Sequence, residues 1–206
     1  VHHYAADPDH SDRDPAGARS DLARPNRVVR CVPCRAPDPA VRRSASRRPA
    51  SIAATASGDI WYVSLAGSHL ARIDIDSGAA SVIRPPTADQ GARRVWSDSQ
   101  GRVCVSEWNT GQVAVYNPSD DSWMEWKLPG NGPQAYAVYV DDQDMVWLSD
   151  FSANALVRFD PGSEQFTVYE LPSPDAAVRQ ILGRPGELWG AESAVDKIVV
   201  IRTNTQ

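Results

Sequence analysis

The chain has 206 residues, 42% of them hydrophobic, with a formal net charge of −5. That is enough apolar text for one buried core. No run approaches the roughly 18 apolar residues of a membrane helix, so no membrane span is expected. The charge is unevenly placed. Residues 1–56 hold ten Arg against six Asp, while residues 57–206 hold eleven Lys and Arg against twenty Asp and Glu. So acidic a region is a poor match for phosphate backbones, and nucleic acid is excluded as a partner.

Residues 1–50 are crowded with Arg, Pro, Ala and Asp and show no period of 2 or 3.6. Such text buries too little apolar area to offset chain entropy. It reads as a disordered tail, or as the product of a shifted reading frame in GC-rich DNA. Cys31 and Cys34 have CxxC spacing, but a single pair with no second pair or nearby His is a weak zinc or redox signal. Nothing after Val1 reads as a signal peptide, and the sequence assigns no compartment.

From residue 51 onward the chain repeats. Asp59–Ser64, Arg102–Glu107, Met145–Asp150 and Glu187–Glu192 align, with Trp61, Cys104, Trp147 and Trp189 spaced 43, 43 and 42 apart. A second strand follows each segment, over Leu70–Asp74, Val113–Asn117, Leu156–Asp160 and Ile198–Arg202. Turn chemistry comes next at Asp76-Ser-Gly78, Asn117-Pro-Ser-Asp120 and Asp160-Pro-Gly162. A third strand follows over Ala80–Arg84, Trp123–Lys127 and Phe166–Glu170, and then an inner strand of the next unit over Ala92–Ser97, Ala135–Val140 and Val178–Leu182.

Four short strands per repeat of this length define a propeller blade, and helical spacing is absent. The expected fold is therefore all-β: a partial β-propeller of four-stranded blades, about three and a half of them, over residues 51–206. The repeated Trp is expected to fill the wedge between adjacent blades. Cys104 is expected to be a small core residue, and His69 an exposed turn residue. Blades this short usually close in rings of about six to eight. The run thus reads as the C-terminal half of a seven-bladed propeller closed by further blades, with closure of the four units on themselves or pairing with a second chain as alternatives.

The segments GDIWYVS…ARIDIDSG, VWLSDFSANALVRFDP and GRPGELWGAES…DKIVVIR resemble the streptogramin lyase (virginiamycin B lyase-like) family over about residues 51–206. The resemblance implies a carbon–oxygen elimination that opens a cyclic ester without water. A base removes a proton next to the carbonyl, and a magnesium ion polarises the ester. It also implies a site near the propeller axis, where a small cyclic ester, a peptide or a protein ligand would sit.

Ser64, Glu107, Asp150 and Glu192 share one blade position, which rotation would set on a ring. Glu107, Asp150 and Glu192 are therefore the candidate magnesium ligands, Glu192 by its match to the family's metal-binding Glu. Alternatively each carboxylate accepts hydrogen bonds within its own blade. The family's His residues are missing from the matching places. Asp175 and Tyr136 stand as candidate replacements for its acid and its His. Arg179 and Gln180 head an inner strand, where Arg179 would hold a carboxylate or an ester, or pair with Glu192 or Asp150. Two other functions fit the same scaffold: a non-catalytic binding propeller, and a calcium-dependent lactonase-like hydrolase.

Overall fold

The computed structural model describes residues 49–203. The Arg-rich tail expected over residues 1–50, with Cys31 and Cys34, lies outside the described residues apart from its last two positions. The described chain contains fifteen strands and no helix.

The strands form four antiparallel meanders in chain order. The first blade is β1 (Ser51–Ala54), β2 (Ile60–Ser64), β3 (His69–Ile73) and β4 (Ala80–Ile83). The second is β5 (Ala92–Ser97), β6 (Val103–Glu107), β7 (Gln112–Asn117) and β8 (Ser122–Lys127). The third is β9 (Ala135–Val140), β10 (Val146–Asp150), β11 (Ala155–Asp160) and β12 (Gln165–Glu170). The last has three strands, β13 (Val178–Arg184), β14 (Glu187–Glu192) and β15 (Lys197–Arg202).

The turns recur because their side chains do. Asp98 accepts from the amides of Gln100 and Arg102, and Asp141 from those of Gln143 and Met145, one repeat later. Asp74, Asn117 and Asp160 close the next turn in the same way, each accepting from an amide two or three residues on. These short side chains satisfy backbone donors that a tight turn leaves open. The residue before the third strand is left-handed in every blade: Ser68, Gly111, Asn154 and Asp196. At Gly111 space adds to conformation, since a Cβ there would come within 2.1 Å of the Pro133 carbonyl oxygen.

The inner strands β1, β5, β9 and β13 lie side by side, and each of β2, β6 and β10 also packs on the next inner strand. Apolar side chains fill the three wedges. Trp61 is 1% exposed and meets Tyr116 of the second blade edge-on, at 5.7 Å between centroids. Trp147 is equally buried, within the cluster joining the third and last blades. Cys104 lies in the middle wedge as expected, and burial pushes its thiol pKa up.

Two expectations fail here. Trp189 is 38% exposed, because no described blade follows β14 to cover it; its indole donates to Glu187 instead. His69 is 1% exposed rather than open to solvent. It is the first residue of β3, paired with Ser64, with its Nδ1 3.1 Å from the Gly67 carbonyl and Tyr62 edge-on to its ring. The opposite end of the run mirrors Trp189. Ile52 of β1 is 67% exposed, whereas its register equivalents Val95, Val138 and Ile181 are buried under a preceding blade.

Candidate functional site

Each inner strand pairs with the second strand of its own blade, and in three blades that register slips. The slip falls between Ala92 and Arg94, between the partners of Leu148 and Asp150, and between Val178 and Ile181. The extra residues are Arg93, Tyr136–Ala137 and Arg179–Gln180. A bulge of this kind re-aims side chains and is common beside binding sites. Arg93, Tyr136 and Arg179 lie 43 residues apart, at one blade position.

The small residue before the corner acid supports these bulges. Ser106 Oγ accepts from the Arg94 amide and donates to the Tyr136 carbonyl at 2.6 Å, tying two blades together. Ser149 Oγ accepts from the Ala137 amide one repeat later. Both hydroxyls satisfy backbone groups that the bulge takes out of the ladder.

Tyr136 is buried between aromatic and cationic side chains but keeps 8% of its surface exposed. Its ring stacks on Phe151 at 4.7 Å and meets Trp108 edge-on at 5.6 Å. The Arg93 guanidinium lies 4.2 Å from the ring centroid and donates a hydrogen bond to the phenol oxygen. The Arg94 guanidinium lies 5.4 Å from the same centroid. Burial alone would raise the phenol pKa. The Arg93 hydrogen bond and the charges of Arg93, Arg94 and Arg179 outweigh it, leaving Tyr136 below an ordinary tyrosine.

A cavity of about 340 Å³ opens along the inner strands, lined by residues of all four, among them Ser51, Arg94, Val138, Arg179 and Gln180. Arg179 thus lines the axial space, and no ion pair joins it to Glu192 or Asp150 among the described residues. Asp175 is exposed, with a φ of 50° in the turn before β13. No described hydrogen bond or ion pair links it to Tyr136 or Arg179.

The corner acids take equivalent places, with Glu107 opposite Ala92, Asp150 opposite Ala135 and Glu192 opposite Val178. All three are buried. Asp150 Oδ1 accepts from the amides of Gln134, Ser152 and Ala153, so it holds its own corner together. Glu107 is pushed up to about 8, first by burial, then by the charge of Glu125, against a weak lowering by Thr110. One oxygen of Glu107 and one of Glu192 have no hydrogen-bond partner among the described residues. Among those residues no three His, Cys, Asp or Glu side chains form a group able to hold a metal ion. Asp150 commits Oδ1 to three amides, whereas Glu107 and Glu192 each keep one buried oxygen without a described partner.

Sequence reading missed Arg93, Arg94, Trp108 and Phe151. The signal was present, since Arg93 stands one repeat before Tyr136, and Trp108 one repeat before Phe151.

Four-stranded meanders fanned about a shared row of inner strands make this chain a segment of β-propeller. Solved structures bear that out. A catalytically inactive virginiamycin B lyase from Staphylococcus aureus with quinupristin is similar at a TM-score of 0.70 and 22% identity, over 77% of this chain and 53% of that one. A selenomethionine-substituted virginiamycin B lyase from the same organism gives 0.64 and 19%, over 75% and 55%. YCF48 bound to D1 peptide gives 0.59 and 18%, over 77% and 52%. At these identities the likeness speaks for the fold, and the chain spans about half the length of the structures it matches. No family model matches the chain, and no curated protein matches it.

Proposed function

We propose that the axial face opens a cyclic ester by carbon–oxygen elimination, with Tyr136 as the base. The observation that carries this reading is the convergence of Arg93, Arg94 and Arg179 on the Tyr136 phenol, beside a cavity lined by all four inner strands. A phenol so surrounded ionises more readily than a free one, which favours proton abstraction by its phenolate.

The step balances without water. The Tyr136 phenolate takes the proton from the carbon next to a carbonyl. The electron pair of that C–H bond becomes a carbon–carbon double bond. The bond from the neighbouring carbon to the ester oxygen breaks, and its pair leaves on the carboxylate. Arg179, at the cavity wall, stabilises that carboxylate as charge develops. Asp175 stays at the rim. These steps are carried by the chain's own residues, and a magnesium ion held by Glu107, Asp150 or Glu192 would polarise the ester carbonyl. Support from outside the chain is the similarity in fold to virginiamycin B lyase.

A second reading, a non-catalytic propeller that holds a peptide at this face, draws on the peptide-bound YCF48 structure. The test is mass spectrometry of a streptogramin B depsipeptide incubated with the full chain, with added magnesium and with a chelator. Elimination gives a ring-opened product of unchanged mass, lost in Tyr136→Phe. Gain of one water would point instead to a lactonase-like hydrolase. Absence of turnover under both conditions would leave the binding reading.

A further inference from the structure

Residues 57–206 carry nearly twice as many acids as bases, and ion pairs form where a base meets an acid. Arg72, Arg102, Arg184 and Arg202 each pair with a carboxylate of their own blade. Arg93, Arg94 and Arg179 have no such pair among the described residues, although they gather on neighbouring inner strands around one phenol. Three guanidiniums held close repel one another unless an anion offsets them.

Arg94 shows the deficit most directly. Its Nε is buried and has no acceptor among the described residues, and a buried donor without a partner is costly. Arg94 and Arg179 line the same cavity, from β5 and β13 on either side of β9. The Ser106 hydroxyl and a β-bulge fix the backbone at Arg94, and a second bulge carries Arg179, so the two strands present both cations to the same cavity. A guanidinium fork matches the planar two-oxygen edge of a carboxylate.

We infer that Arg93, Arg94 and Arg179 form a carboxylate-binding cradle in the axial cavity, taking the terminal carboxylate of a small peptide-like ligand. Arg94 and Arg179 meet the carboxylate, while Arg93 stays on Tyr136 and adds charge from behind. The cradle stands on its own geometry, whether or not Tyr136 acts as a base.

Calorimetric titration of the full chain with N-acetyl-L-phenylalanine, its amide and inorganic phosphate tests this. The carboxylate is expected to bind, to weaken as salt rises, and to lose at least about tenfold in affinity in Arg179→Gln. Arg179 is exposed, so that variant should keep the wild-type melting temperature. Arg94→Gln should weaken binding likewise, and the amide should not bind. Equal binding of acid and amide, tighter binding of phosphate, no binding, or unchanged affinity in both variants would overturn the cradle. Loss of turnover with carboxylate binding intact would count against the lyase reading alone.

Discussion

The Arg93 guanidinium donates to the hydroxyl of Tyr136, the residue one repeat further along the chain and at the same position of the next blade. A propeller places equivalent positions beside one another at its inner row, so residues 43 apart in sequence become neighbours in space. The site is built from that rule: Arg, Tyr and Arg at one position of three consecutive blades.

Among the three cations, Arg93 acts on the phenol through both a hydrogen bond and its charge, while Arg94 and Arg179 act through charge alone. Arg93→Gln should therefore raise the Tyr136 ionisation midpoint more than Arg94→Gln or Arg179→Gln. Spectrophotometric titration of the three variants, each corrected by its Tyr136→Phe double mutant, gives the order.

Wedge packing depends on a covering blade. Trp61→Ala should cost about 3–5 kcal/mol of unfolding free energy, as expected for a large buried aromatic residue. Trp189→Ala should cost about 1 kcal/mol or less, because its ring is already partly in water. Chemical denaturation of the two variants measures the difference.

Glu107 carries a pH dependence. Its folded pKa lies above the unfolded value, at about 8. Its contribution is therefore fully present below the ordinary Glu range and is lost as pH rises through about 8, where the buried carboxyl must ionise. Glu107→Gln keeps an uncharged group of similar shape, and its stability should fall less between these limits. Melting temperatures of both proteins across that range show whether the slope flattens.

Gly111 is fixed by its left-handed backbone and by the Pro133 carbonyl. Gly111→Ala should lose at least about 2 kcal/mol, since strain and a backbone clash act together. Asn154→Gly, at the equivalent left-handed position of the next blade, should relieve the strain of φ but lose the hydrogen bonds of Asn154 to Ser173 and Ala176. Thermal unfolding distinguishes the two.

The blades were legible in the sequence because a repeated Trp, a repeated Asp or Asn turn and alternating strands all mark the same period. β1 was not marked as a strand. Ser51–Ala54 is short, carries no aromatic residue and follows Arg-rich text, and it becomes a strand only by pairing with β2. His69 looked like a turn residue because the hairpin boundary falls one residue earlier than alternation suggests. Trp189 was expected to be buried because periodicity counts blades but does not say whether the next one is present. The corner acids are legible as one repeated blade position, but not the use of Asp150 by three amides, which depends on hydrogen bonds that spacing does not encode. Arg93 is hard to read from the sequence because apolar positions mark the repeat, whereas this site is built from bulged ones.

The central claim is that three guanidiniums outweigh burial at one phenol. A difference titration, wild type minus Tyr136→Phe, followed by the absorbance of the ionised phenol, tests it most directly. The account predicts a midpoint below that of an ordinary tyrosine. A midpoint at or above that of an ordinary tyrosine would contradict it.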